Sequence, residues 1–142
     1  MEPTECGLLI KQISDQTSKA ANHVLRAYDL TLSQFRCLEY IRENPAQKVP
    51  FKEMEAHFCI SQPTLAGIVA RLARKGLLAT EASEVNPRAK TASLTPQGLE
   101  LFLQADAHRE TVESSLLAPL SPEGKRTFYE LLKKVNDGLK NI

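Results

Sequence analysis

The chain contains 142 residues, of which 42% are hydrophobic, and this length suits one domain or one domain with helical extensions. Its formal net charge is only +1, which excludes a globally basic surface as an argument for any partner. The basic residues are unevenly distributed, however. Residues 59–90 carry five basic and two acidic side chains, a charge of +3, which leaves −2 on the rest of the chain.

Neither a membrane span nor a secretory leader is predicted. The sequence has no run of about 18 apolar residues and no basic segment followed by an apolar one. The three cysteines, Cys6, Cys37 and Cys59, are odd in number and widely spaced. This spacing favours free thiols in a reducing compartment over a disulfide framework. We therefore expect a cytoplasmic protein without a membrane partner.

The first third of the chain predicts two helices. Apolar residues recur at helical spacing over residues 6–28, which indicates a long first helix. The stretch LTLSQF begins a second helix, because Thr31 and Gln34 fit the N-cap and N3 positions of a capping box. Pro45 ends this helix.

A short third helix and a longer fourth helix follow, with only the turn CIS between them. PFKEMEAHF predicts the third helix, and SQPTLAGIVARLARKG predicts the fourth. Ser61 or Gln62 caps the fourth helix, Pro63 lies in its first turn, and Gly76 ends it. Its apolar stripe consists of Leu65, Ile68, Val69 and Leu72.

The opposite face of the fourth helix lacks large apolar side chains. It carries Thr64, Gly67, Arg71 and Arg74. A glycine in a helix interior costs roughly 1 kcal/mol relative to alanine, so we expect a functional reason for Gly67.

A β-hairpin is predicted after the fourth helix. Leu77–Ala82 is extended, SEVNPR forms a turn, and AKTASL has the alternation of a returning strand. Arg88 and Lys90 lie at or beside the tip. Beyond the hairpin, Thr95-Pro96 starts a fifth helix that runs to about Leu117, and Ser121-Pro122 starts a sixth.

Two helices joined by a short turn and followed at once by a hairpin describe a winged helix-turn-helix, whose second helix enters the major groove of DNA. Gln62 and Thr64, at its amino end, are suited to hydrogen-bond bases or phosphates. The small Gly67 allows close approach to base edges, and Arg71 and Arg74 suit the phosphate backbone. An ordinary solvated helix and a polar, solubilising hairpin are the alternatives. The predicted DNA-binding residues are Ser61, Gln62, Pro63, Thr64, Gly67, Arg71, Arg74, Arg88 and Lys90.

The sequence resembles the MarR family of bacterial transcriptional regulators over nearly its whole length. The resemblance lies in LTLSQFRCLEYI, ISQPTLAGIVARLARKGLL and NPRAKTASLTPQG. Of the family's wing pattern, Arg88, Leu94, Thr95 and Gly98 are present, whereas Asn86 stands where an aspartate that orients the arginine is usual. A basic residue is common in the family at the position of Gly67, which implies fewer base contacts here.

The resemblance implies a mainly α fold with a small β-hairpin wing, in which dimerisation helices flank the winged helix-turn-helix. Residues 1–30 and 97–142 would form the dimerisation region, and residues 31–96 the DNA-binding domain. The expected partners are a second copy of the chain, a pseudo-palindromic double-stranded operator and a small-molecule effector. The expected function is that of a repressor released by a small molecule or an oxidant, without a cofactor.

Cys6 is a candidate redox sensor. It stands at the predicted start of the first helix, where N–H groups and the helix dipole can stabilise a thiolate. Its position resembles that of the sensing cysteine in the peroxide-responsive branch of the family. Leu32 and Phe35 occupy the stretch where that branch has orienting tyrosines, and an inert, partly exposed thiol is the alternative.

Two other classes of function remain as alternatives. One is a winged-helix module that binds proteins instead of DNA, which the charge of +3 disfavours. The other is an enzyme, for which no catalytic motif is visible. His23, His57 and His108 lack paired metal-ligand spacing, so no metal site is predicted.

Overall fold

The computed structural model describes residues 4–86 and 88–140, and within these ranges it contains six α-helices and three short strands. The elements are α1 (Cys6–Leu25), α2 (Leu32–Glu43), β1 (Lys48–Pro50), α3 (Phe51–Phe58), α4 (Gln62–Arg74), β2 (Leu78–Ala82), β3 (Lys90–Leu94), α5 (Pro96–Leu117) and α6 (Pro122–Leu139). The predicted fold class, mainly α with a hairpin wing, is confirmed. Pro87 in the predicted turn and both ends of the predicted dimerisation region lie outside the described residues.

Four helices begin at a serine or threonine whose side-chain oxygen accepts a hydrogen bond from the N–H three residues further along. These residues are Thr31, Ser61, Thr95 and Ser121. At Thr31 the full capping box is present, because the Gln34 side chain accepts in return from the Thr31 N–H. Of the two caps considered for α4, Ser61 is the one observed.

The first helix is shorter than predicted. α1 ends at Leu25, and a single turn of 3-10 helix, Arg26–Tyr28, completes the segment. Asp29 then adopts a left-handed conformation with φ of 55°. The Leu30 N–H donates to the Leu25 carbonyl at 3.2 Å, so the chain turns sharply into α2.

The wing contains one strand that the sequence did not predict. β1 pairs with β3, which also pairs with β2, so that the antiparallel order is β1-β3-β2. Val49 of β1 lies opposite Ala92 of β3, and both are fully buried. A three-residue strand with a single inward side chain has too little alternation to be recognised from sequence.

The core lies between α2, α4, the amino-terminal half of α5 and the carboxyl end of α1. Its largest fully buried side chains include Leu25, Phe35, Leu38, Ile41, Met54, Leu65 and Leu72. Cys37 is also buried there. Cys59, in the turn between α3 and α4, is exposed in a left-handed conformation with φ of 53°.

α6 contributes nothing to this core, because none of its residues is buried. Leu131, Leu132, Val135 and Leu139 on α6 are between 41% and 60% exposed. On the amino-terminal half of α1, Leu8, Leu9 and Ile10 are exposed to a similar degree. In the part of the chain that the structure describes, no helix is both long enough and apolar enough to cross a membrane.

Candidate nucleic-acid interface

The turn between α3 and α4 is only three residues long, from residue 59 to residue 61. The left-handed Cys59 ends α3, and the Ile60 N–H donates back to the Glu55 carbonyl at 3.1 Å. α4 then buries Leu65, Val69 and Leu72 against the core. The fourth member of the predicted stripe, Ile68, is only half-buried.

The opposite face of α4 is free, as predicted. Thr64, Gly67, Arg71 and Arg74 are all exposed. A Cβ atom added at Gly67 would have no neighbour within 4 Å. Packing within the described chain therefore gives no reason for a glycine here, and the cost of a helical glycine remains without a structural compensation.

The hydroxyl groups at the amino end of α4 already contact each other. Ser61 Oγ accepts from the Thr64 N–H at 3.3 Å, and the two hydroxyl oxygens are 2.8 Å apart. Ser61 therefore caps the helix, and its hydroxyl group orients the Thr64 side chain. Gln62 and Pro63, the first residues of the helix, are exposed beside them.

The wing tip is organised by Asn86. Its side-chain oxygen accepts from the Arg88 N–H at 3.1 Å, and its carbonyl accepts from the Ala89 N–H at 2.9 Å. Ser83 Oγ accepts hydrogen bonds from the N–H groups of Val85 and Asn86. Asn86 thus orders the backbone of the turn, although it has no charge with which to hold the arginine side chain.

Four cations remain available on α4 and the wing. Arg71, Arg74, Arg88 and Lys90 are exposed, and none of them forms an ion pair with any residue in ranges 4–86 and 88–140. The acid nearest to them on the strands, Glu81, pairs with Lys48 of β1. That hydrogen bond holds the pKa of Glu81 below its ordinary value, so the acid stays ionised and is balanced locally.

A polar junction holds the wing against the end of α4. Thr95 Oγ1 donates to the Gly76 carbonyl at 2.6 Å and accepts from the Gly98 N–H at 3.0 Å. The Thr95 N–H donates to the Leu77 carbonyl at 3.2 Å. A Cβ at Gly98 would come within 2.1 Å of that same carbonyl oxygen. This close approach gives a physical reason for the Leu-Thr…Gly pattern that the sequence shares with the MarR family.

One basic residue of this region is bonded to the rest of the chain. Lys75, the C-cap of α4, lies against the start of α2 and the turn before it, where Gln34 and the Asp29 carbonyl accept from its ammonium group. The sequence places Lys75 only at the end of the fourth helix. Its partners are 41 and 46 residues away along the chain and could not be identified from local spacing.

A groove of about 570 Å³ lies between α1, α5 and α6. Most of its surface is apolar, with Leu9, Ile13, Leu132 and Val135 among the lining residues. Its polar lining comprises Ser14, Thr17, Ser18, Arg36, Arg109 and Glu113. Cys6, exposed at the first position of α1, also lines this groove.

Arg109 connects the groove to α2. It lies over the Phe35 ring at 5.0 Å and pairs with Glu39 and Asp106 at 3.4 and 3.3 Å. Phe35 in turn stacks on Phe102 at 5.0 Å. Burial raises the pKa of Glu39, and the opposing effect of Arg109 is smaller. The Arg109 Nε atom is buried and has no hydrogen-bond partner among the described residues.

The three histidines lie apart from one another. His108 hydrogen-bonds Tyr28, His57 stacks on Tyr40 at 4.2 Å, and His23 is exposed on α1. Within the described ranges, no group of three or more His, Cys, Asp and Glu side chains is arranged to hold a metal ion.

Comparisons with known proteins agree with this geometry. The model of the MarR family matches residues 28–89, which include α2, α3, α4 and the first strand of the hairpin. The chain is 26% identical over 111 residues to the homoprotocatechuate degradative operon repressor of Escherichia coli, covering 78% of this chain and 74% of that protein. It is also 26% identical over 127 residues to the transcriptional regulator HosA of Escherichia coli O157:H7, with coverage of 89% and 90%.

Two solved structures with bound DNA have the same fold. A mutant of MarR from E. coli, complexed with operator DNA, matches with a TM-score of 0.81 and 25% identity, covering 91% of each chain. The MepR–DNA complex of S. aureus matches with a TM-score of 0.85 and 23% identity, covering 96% of this chain and 99% of that one. The resemblance stated from the sequence is confirmed.

Proposed function

Because residues 28–89 match the model of the MarR family, we propose that this chain is a transcriptional regulator of that kind, a sequence-specific repressor that binds double-stranded DNA as a homodimer. The observation that carries the proposal is the outer face of α4. That face combines a glycine with no packing partner, exposed hydrogen-bonding groups at the amino end and arginines that form no ion pair with an acid among the described residues.

In the proposed complex α4 lies in the major groove. Gln62 and Thr64 contact base edges there, and Pro63 in the first turn has no N–H to present to the DNA. The missing side chain at Gly67 lets the helix approach closely. Arg71 and Arg74 lie one and two turns further along, at the phosphate backbone.

The wing extends the same surface. Arg88 at the ordered turn and Lys90 at the start of β3 present two cations to the neighbouring minor groove, where the negative potential is strong if the groove is narrow. The turn is held by Asn86, so the backbone that carries Arg88 is preorganised. Its guanidinium group is oriented only on contact with DNA.

Residues 1–30 and 97–142 form the dimerisation region in this proposal, and residues 31–96 form the DNA-binding domain. The support is the apolar surface of α1 and α6, which the described chain does not cover. A second copy would bury it by exchanging these helices about a two-fold axis. Two copies of α4 would then meet half-sites about one turn of DNA apart, so the operator would be a pseudo-palindrome.

The groove offers the place for release by an effector. Its apolar walls suit an apolar molecule bound between the dimerisation helices and the winged helix. Arg109 is already paired with two carboxylates, so among the described lining residues Arg36 is the cation open to a polar group of that molecule. Oxidation of Cys6 is the second proposed mechanism. Leu32 and Phe35 have no hydroxyl groups to orient an oxidised sulfur, and Phe35 is buried under Arg109.

The test of DNA binding starts with selection of bound sequences from a random duplex pool. A pseudo-palindromic consensus is expected, and a gel shift on that duplex should weaken steeply with salt. Arg71→Ala and Arg88→Ala should each lower the slope of log affinity against log salt by about one phosphate contact. Gln62→Ala should instead change the preferred base at one position, by about 1–3 kcal/mol. A pool without enrichment would refute the proposal and favour a protein-binding module.

The test of Cys6 uses the same gel shift. An organic hydroperoxide should release the DNA through a sulfenate, and a thiol reductant should restore binding. Cys6→Ser should bind DNA normally and ignore the oxidant. If wild-type affinity is unchanged by peroxide, or if Cys6→Ser still responds, oxidation of Cys6 is excluded and the small-molecule mechanism is retained.

A further inference from the structure

We infer that Lys75 is a positioning residue, which fixes the carboxyl end of α4 on the junction between α1 and α2 and thereby sets the angle at which α4 meets DNA. The inference rests on the proposed function of α4. It assigns to Lys75 a role different from that of Arg71 and Arg74, the other two basic residues near the end of the helix.

The ammonium group of Lys75 has three oxygen neighbours within the chain. Nζ donates to the Asp29 carbonyl and, at 3.3 Å, to Gln34 Oε1, and it lies 3.4 Å from a carboxylate oxygen of Asp29. Two of its three donors are thus used in hydrogen bonds, and the contact with the Asp29 carboxylate is an ion pair. The Lys75 side chain is accordingly only 29% exposed.

The two partners differ in exposure. Asp29 has the left-handed φ of 55° that turns the chain from α1 into α2 and presents its carbonyl to Lys75, whereas its side chain is 92% exposed. Gln34 is the one buried polar or charged side chain in the described core, and its Oε1 also accepts from the Thr31 N–H at 3.2 Å. Lys75 therefore binds to the buried amide of the capping box of α2 and to the backbone of the turn that precedes it.

Apart from Gln34, the described core between α2 and α4 is apolar. Packed apolar side chains restrict the angle between two helices, but crossing angles within one packing class still vary by about 15–20°. A directed ammonium contact at one end narrows that remaining range. Lys75 also lines a cavity of about 270 Å³ with Gln97 and Glu100 of α5, so it lies where three parts of the fold meet.

The decisive measurement is affinity as a function of salt, for the selected duplex and for a random duplex. Lys75→Met should lower the ratio of specific to random affinity by about tenfold and leave the salt slope unchanged, because no phosphate contact is lost. The matched control Arg71→Met should lower the slope by about one contact. Lys75→Arg, which keeps the cation and its donors, should retain the wild-type ratio within about threefold.

A second variant approaches the contact from the other side. Gln34→Met removes one acceptor, and the double variant with Lys75→Met should lose no more specificity than Lys75→Met alone. Thermal melting identifies any variant that fails to fold, and in that case Lys75→Arg and Gln34→Met carry the test.

Three outcomes would overturn the inference. They are a salt slope reduced by one contact in Lys75→Met, an unchanged specificity ratio in that variant, or additive losses in the double variant. Failure of the proposed function is a separate result, because wild-type protein would then select no duplex at all.

Discussion

The winged helix and the outer helices (α1, α5 and α6) differ in how much of their apolar surface is buried within the described chain. Phe35, Leu38 and Leu72 in the winged helix are fully buried, and its wing is bonded to the end of α4 through Thr95. α6, in contrast, has no buried residue, and Val135 on its apolar face is 52% exposed. The winged helix forms its core within one chain, together with the carboxyl end of α1 and the amino-terminal half of α5, whereas α6 and the amino-terminal half of α1 stay exposed. In the proposed homodimer a second copy covers these exposed parts. The stability of the outer helices should therefore depend on protein concentration, and that of the winged helix much less.

The largest expected effect comes from charges placed on the exposed apolar face of α6. Leu132→Glu combined with Val135→Glu should prevent dimerisation, because two carboxylates would enter the apolar interface. Affinity for a two-half-site operator should fall by about a thousandfold, since avidity is lost. Analytical ultracentrifugation with a gel shift measures both. The control is Lys133→Glu combined with Lys134→Glu, which places two glutamates on α6 outside that face. If this control is also monomeric, the assignment of the apolar face to the dimer interface is wrong.

The next effect separates the two regions by their thiols. Burial raises the pKa of Cys37 to about 12, from an ordinary 9.0, so its thiolate is about a thousandfold scarcer than that of an exposed cysteine. In native protein iodoacetamide should label Cys59 rapidly and Cys37 only after unfolding. Mass spectrometry of the digested protein follows each site. Labelling of Cys6 should slow as protein concentration rises, because the second copy covers the groove. Native labelling of Cys37 at the rate of Cys59 would show that the core opens.

A third variant tests the junction that closes the winged helix. Gly98→Ala should destabilise the protein by about 3 kcal/mol, because the new Cβ atom meets the Leu77 carbonyl oxygen at 2.1 Å and neither backbone can yield cheaply. The control is Gly138→Ala in α6, where no atom lies within 4 Å and the gain in helix propensity is up to about 1 kcal/mol. Chemical denaturation measures both changes. Equal effects at the two glycines would remove the distinction between the regions.

The smallest effect is a pH dependence at Glu39, where the two regions meet. Burial raises the pKa of Glu39, so the folded state takes up a proton at a higher pH than the unfolded state. Its contribution to stability therefore increases as pH falls through the folded pKa toward the ordinary value of 4.5. Glu39→Gln should abolish this rise, whatever constant offset the lost Arg109 contact adds. Denaturation curves in mildly acidic buffers measure the free energy of unfolding of both proteins. If wild type and Glu39→Gln have parallel pH profiles, the prediction is wrong.

The parts of the fold that sequence predicts are those whose chemistry is local. Thr31 with Gln34, and Ser61 before Pro63, satisfy N–H groups three residues away, so their spacing alone identifies the helix starts. β1 escaped prediction because its strand character comes from pairing with residues more than 40 positions later. The contact of Lys75 with Asp29 and the stacking of Arg109 on Phe35 are equally non-local.

The candidate site divides in the same way. Exposure of Thr64, Gly67 and Arg71 follows from helical periodicity, and the structure confirms that exposure. Sequence could not say that Asn86 orders the wing turn through its amide oxygen, because the family pattern places an acid there. It also could not separate Lys75 from the arginines beside it. Only the tertiary fold distinguishes a cation that faces solvent from one that faces a carbonyl.

The packing of α1 against α5 also has a consequence for synthesis of the chain. α1 is made before α5, which ends at Leu117, about ninety residues after α1 is complete. At ribosomal rates this leaves α1 without its partner for about 5–20 seconds. During that interval Leu8, Leu9 and Ile10 are open to chaperones or to other nascent chains, and in the completed monomer they are still exposed. In the proposed homodimer the outer helices are therefore the last part of the molecule to mature, because their exposed apolar faces are covered only when a neighbouring chain binds.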